Sequence, residues 1–175
     1  MRELVLELAR KSARYFLKGV DMKPTTIVFA LTLLFTSAVV CLADSPQMGT
    51  WKLNEAKSKL GAGTAKNHTV VYVAAGDNVK ITVDGVDAEG KAAHNEWTGK
   101  FDGKYYPVTG DPTSDTRMYR QINARTLSLT AKKGGKVTLT GRIVVSIDGK
   151  TRTVTTSTTN SSGKRVSSKA VYDKQ

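Results

Sequence analysis

From Lys136 to Ile147 the chain reads KVTLTGRIVVSI, in which Val137, Leu139, Gly141, Ile143, Val145 and Ile147 share one face. A period of two is the mark of a half-buried β-strand and leaves no room for a helix. The same alternation puts Val79, Ile81 and Val83 of NVKITVD together, and Leu127, Leu129 and Ala131 of TLSLTA. Between such runs stand turn dipeptides at Asp84, Asp102, Gly134, Asp148 and Ser162, the last three fourteen residues apart. Asp-Gly and Gly-Gly accept the positive φ that tight hairpins demand, so the spacing predicts antiparallel neighbours in a meander. Ten candidate strands begin at Thr50, His68, Asn78, Lys91, Lys104, Thr116, Thr126, Lys136, Thr151 and Arg165. A meander with one apolar face per strand hides that face most simply by closing on itself, which also removes exposed edges. The expected fold is all-β, an antiparallel up-and-down barrel of eight to ten strands. Its core should include Trp51, Val79, Ile81, Leu129, Leu139 and Ile143. The one helical candidate is NEAKSKL, with Asn54 as its cap.

Ahead of the strands, Ile27 to Ala43 is an uncharged apolar run of seventeen residues, preceded by Lys23 and ending in small residues. That is the layout of an export signal cleaved near Ala43. An uncleaved anchor is the alternative, because seventeen residues is the lower limit for crossing a bilayer. Residues 1–43 therefore read as signal peptide, with 1–21 as an extension before the start implied at Met22, and residues 44–175 as the barrel domain. The protein is expected in the periplasm or secreted. Cleavage removes Cys41, the only cysteine, and with it disulfide and thiol chemistry.

The remaining 132 residues carry twenty-one Lys and Arg against twelve Asp and Glu, a net of +9. The charges are spread through the turns, with no basic block and no interleaved aromatic platform, which argues against nucleic acid. If the charge has a partner, an anionic envelope surface fits an exported, monomeric protein.

Two phrases at the ends of the domain carry a family resemblance. GTWKL at Gly49 to Leu53 resembles the Gly-x-Trp start of the calycins, the lipocalin and fatty-acid-binding-protein superfamily. The terminal KAVYDKQ resembles the closing strand of the intracellular fatty-acid-binding proteins. The phrases GTWKLN, FDGKYYPVTG and SIDGK are also similar to a family of exported soil-bacterial proteins to which no activity is attached. The calycin resemblance implies that Trp51 closes the barrel floor under a cation of the last strand, Arg165 or Lys169. It also implies a ligand in the interior. Where fatty-acid-binding proteins carry an Arg-x-Tyr pair for the carboxylate, this chain has Ala170 and Tyr172. A carboxylate anchor at that place is lost.

Catalytic signals are sparse. His94 and Glu96 of HNEW share a strand face and could act as acid and base or hold a metal. Yet His68 is the only other histidine, and neither a nucleophile elbow nor a phosphate loop is present. The reading is of a non-enzyme without metal or cofactor. Trp97, Tyr72, Tyr105, Tyr106, Tyr119, Phe101 and Tyr172 supply aromatic area for a lining. The expected ligand-binding set is Tyr72, Ile81, Trp97, Leu129, Leu139 and Tyr172. TRTVTTSTT is polar on both faces apart from Val154, so some hydroxyls point inward. Such a lining suits a neutral or weakly polar lipophile. The alternative is a structural or envelope-associated barrel filled by its own side chains.

Overall fold

The alternating runs become ten antiparallel strands: β1 (Gly49–Leu53), β2 (Lys66–Ala75), β3 (Asn78–Val86), β4 (Ala92–Gly99), β5 (Asp102–Thr109), β6 (Thr116–Asn123), β7 (Thr126–Lys133), β8 (Lys136–Val145), β9 (Thr151–Thr159) and β10 (Arg165–Lys174). This computed structural model describes residues 45–159 and 164–175, so the signal-like run, the preamble and the turn at Ser162 lie outside the described residues. Each strand pairs with its sequence neighbours, and β1 pairs with β10, closing an up-and-down barrel. The closure places Trp51 opposite Lys174 and Leu53 opposite Tyr172 on one side, and Trp51 opposite Val70 on the other.

Of the expected turn dipeptides, Gly134 and Asp148 fall between strands, whereas Asp102–Gly103 lies within β5 at an irregularity of its ladder with β6. Gly134 and Gly135, at φ 54° and 79°, make the two-residue link from β7 to β8, as a hairpin with two positive-φ positions requires. The Asp84–Gly85 pair is a correction to the sequence reading. It lies inside β3, not in a turn: Gly85 pairs with Asn67 beside the β2 irregularity, and a Cβ there would come within 2.0 Å of the Lys66 carbonyl oxygen, so glycine is what lets the ladder pass. The strand therefore continues, and the connection follows at Asp87 to Lys91.

NEAKSKL forms one turn of 3-10 helix, Glu55–Lys57, whose cap Asn54 accepts the Lys57 N–H. Beyond it Lys59 bridges to Lys169, and Gly61 N–H donates to Ser168 Oγ, so this segment extends the β1 edge along β10. The least complete ladder joins β4 to β5 through only two residue pairs, Glu96–Thr109 and Trp97–Val108. Tyr106 occupies the widened space, its ring 5.7 Å from that of Trp97 and edge-on to it. A Cβ on Gly99 would lie 2.5 Å from the Tyr106 ring, so the absent side chain makes that packing fit.

The buried side chains are mostly apolar, with Arg152 and Arg117 as the inward-facing charges. Trp51, Val79, Ile81, Leu129 and Ile143 are buried as expected, while Leu139 is half-buried. Trp51 is wholly enclosed, and its indole N–H donates to the Gln47 carbonyl at 2.9 Å. Truncation to Ala removes that apolar volume and leaves a cavity where β1, β2 and β10 meet. The Trp51→Ala variant should lose about 3–5 kcal/mol in equilibrium urea unfolding. Parent-like unfolding would show that the indole does not hold the closure together.

Candidate functional site

Alternation along β9 sends Arg152, Val154, Thr156 and Thr158 to the interior, because Val154 faces Ile143 and Ala170 across the ladders. Arg152 stands opposite Val145 on one side and Tyr172 on the other. It is only 1% exposed, and its guanidinium carbon lies 5.1, 4.9 and 4.8 Å from the ring centres of Trp51, Tyr72 and Tyr172. Three aromatic faces thus enclose one cation at the barrel floor.

The rings attract the charge through their quadrupoles but leave its N–H groups unserved. Arg152 Nε and Nη1 are buried without a hydrogen-bond partner among the described residues, and no described carboxylate forms an ion pair with it. The neighbouring phenols do not compensate the charge. Burial pushes the Tyr72 and Tyr172 hydroxyls above their ordinary pKa, outweighing the opposing pull of Arg152, so both remain neutral. Gln47, whose carbonyl holds the Trp51 indole, is also 1% exposed with both amide atoms unpartnered. Gln47 through its backbone carbonyl and Arg152 through its guanidinium thus both meet the indole, and both keep buried polar side-chain atoms without a partner among the described residues, which native interiors seldom tolerate.

The other inward arginine is the opposite case. Arg117 of β6 donates to Asp111 Oδ2 at 2.8 Å and to Asn95 Oδ1 at 3.3 Å, while its own carbonyl accepts from Trp97 Nε1 at 2.9 Å. Asp111 also accepts from the Ser114 and Thr113 hydroxyls. Burial alone would raise the Asp111 pKa, but these hydrogen bonds and the Arg117 charge outweigh it and hold it below the usual carboxylate range.

The six expected lining residues all face inward: Tyr72, Ile81, Trp97, Leu129 and Tyr172 are buried and Leu139 is half-buried. Around Trp97, Phe101 stacks at 6.3 Å and Tyr119 packs edge-on at 4.8 Å, so much of this aromatic area is in contact with itself. Tyr105 departs from the expected lining. It faces outward under the Lys132 ammonium, 3.8 Å from its ring centre.

Arg165 and Lys169 are a further correction. Inward positions on β10 are Val166, Ser168, Ala170 and Tyr172, so strand parity turns both cations outward. The cations over Trp51 are Arg152 and, at 5.2 Å, Lys174. His94 and Glu96 do share a face, the outer one. His94 is hydrogen-bonded to Asp84 at 2.6 Å and Glu96 to Lys80 at 2.7 Å. Among the described residues no three His, Cys, Asp or Glu side chains gather where a metal could be held.

Compared with known proteins, the chain matches no protein-family model and has no significant match among curated sequences. Its function has to be argued from the site.

The Asp111 geometry sets an acid response. With its folded pKa below the unfolded value of about 3.9, the carboxylate stabilises the fold above that pH. The contribution is lost as pH falls through the folded value. Urea unfolding at pH 6 should show Asp111→Asn destabilised by about 1–3 kcal/mol, because Arg117 loses its partner. The gap between parent and variant should narrow below about pH 4. A gap that stayed constant to pH 2.5 would remove Asp111 from the acid response.

Proposed function

We propose that this is an exported, non-catalytic barrel that takes up a small molecule with an apolar body and an anionic head, the head lying against Arg152. The observation that carries this reading is the buried guanidinium with two unpartnered nitrogens. Burying a charge without a counter-charge is costly, and a carboxylate or phosphate can satisfy several guanidinium N–H groups at once. On β10 itself Ala170 offers no guanidinium for a carboxylate. Arg152, across the ladder from Tyr172, places a guanidinium at that level of the interior.

The lining supports an amphiphile. Leu139, Val154, Thr156, Thr158 and Ser168 point inward yet remain half-buried, so solvent reaches the interior along β8, β9 and β10. Such a wall offers both apolar contact and hydroxyls. The apolar run before the barrel supports export, and the calycin-like phrases at Gly49 and Lys169 support a ligand-holding interior. A second reading, the filled barrel, is favoured by the Trp97–Phe101–Tyr119 packing, which occupies part of the interior with the protein's own rings.

Dodecanoate and dodecanol distinguish these readings, since they share a tail and differ in the head. In a calorimetric titration the acid should bind at least about tenfold more tightly than the alcohol, a preference of about 1.4 kcal/mol. Arg152→Gln should abolish that preference. Equal binding of acid and alcohol would overturn the role of Arg152, and binding of neither would establish the filled barrel.

A further inference from the structure

The outer wall carries a feature independent of the interior. Across the ladders Arg120 pairs with Ser128, Ser128 with Arg142, Arg142 with Thr155, Thr155 with Lys169, and Lys169 with Lys59. Each member faces outward, since its strand neighbours at Tyr119, Leu127, Leu129, Ile143, Val154 and Ala170 face in. The register therefore draws a belt across the sheet in which cations alternate with hydroxyls before ending on two lysines. Arg120, Arg142, Lys169 and Lys59 are exposed and take part in no ion pair among the described residues. Asp102, opposite Arg120, closes the belt at one end, its carboxylate occupied by the Tyr106 hydroxyl and the Lys104 backbone.

An open trough of about 430 Å³ lies on the same wall, lined by Thr140, Gly141, Arg142, Val144, Thr155, Thr156, Ser157 and Ser167, and its lining is apolar as well as hydroxylic. Arg165 borders it, its Nε donating to Ser157 Oγ. The belt and the trough meet at Arg142 and Thr155.

We propose that this belt binds a linear anionic polysaccharide laid across the strands. Three properties select that partner. From Arg120 to Lys169 the belt spans four of the strand-to-strand steps around a closed sheet of ten, so it curves with the wall. A planar bilayer touches such a surface along a narrow line, whereas a flexible chain can follow it. Alternate strands set successive cations about 9–10 Å apart, twice the inter-strand spacing. That is close to the span of two sugar rings, and suits a glycan with one charge per disaccharide. The intervening Ser128, Thr155 and trough hydroxyls pair with sugar hydroxyls. The belt offers no aromatic platform of the kind single-stranded nucleic acid stacks on.

Hyaluronan oligosaccharide, a linear glycan with one carboxylate in each disaccharide, is the probe, measured by calorimetry with the full folded protein. The variant Arg142→Ser/Lys169→Ser removes two belt cations. Lys91→Ser/Lys136→Ser removes two exposed cations that lie off the belt, so both variants carry the same net charge. The parent should bind with an affinity that falls as salt rises. The belt variant should bind about tenfold or more weakly, and the control variant less than about threefold more weakly. Equal losses in both variants would reduce the effect to net charge and overturn the belt. No binding by the parent would overturn it too, as would tighter binding of oligothymidylate or of phosphatidylglycerol vesicles than of hyaluronan. Circular dichroism of both variants separates a lost site from a lost fold.

Discussion

A guanidinium enclosed by three aromatic rings and lacking a counter-charge is the constraint on which the interior turns. Each cation–π contact contributes up to about 2 kcal/mol when desolvated. Removing an arginine from water costs several kcal/mol, and each unpaired buried N–H adds to that cost. These terms are of similar size, so Arg152 sits near balance among the rings. On the proposed function, an anion would tip the balance by supplying a counter-charge and hydrogen-bond acceptors together.

The same place is where the barrel closes. Trp51 comes from β1, Tyr72 from β2, Arg152 from β9 and Tyr172 from β10, so the cage joins both ends of the sheet. A ligand at the proposed site would therefore be coupled to closure, and its binding would stabilise the folded form. Arg117 illustrates the alternative use of an inward arginine. With Asp111 and Asn95 in hand it completes a structural network and has little left to offer a ligand.

Much of the architecture was legible because strand period and turn chemistry are local. The strand starts at Asn78, Thr116, Thr126, Lys136, Thr151 and Arg165 agree with the observed bounds. Asp84–Gly85 misled because the same dipeptide serves a turn or an irregular ladder, and only the approach of Lys66 decides between them. Arg152 was hidden in a strand that reads as polar on both faces. Val154 held the signal: counting back two residues from the one apolar position puts Arg152 inside. The same counting from Tyr172 turns Arg165 and Lys169 outward. The belt of cations was not legible in this way. Register between strands depends on irregularities such as that at Ala131 and Lys132, so charges dispersed along the chain align only once the sheet has formed.

Unfolding of the ligand-free protein tests the central claim most directly. After denaturation and refolding, which strip any bound small molecule, the parent and Arg152→Met should be compared in urea at pH 7. A methionine fills much of the same volume without a charge. The account predicts that Arg152→Met is within about 1 kcal/mol of the parent or more stable, because the fold gains little from a buried cation without a counter-charge. A loss of more than about 3 kcal/mol would contradict it, and would make Arg152 a structural plug of the barrel floor.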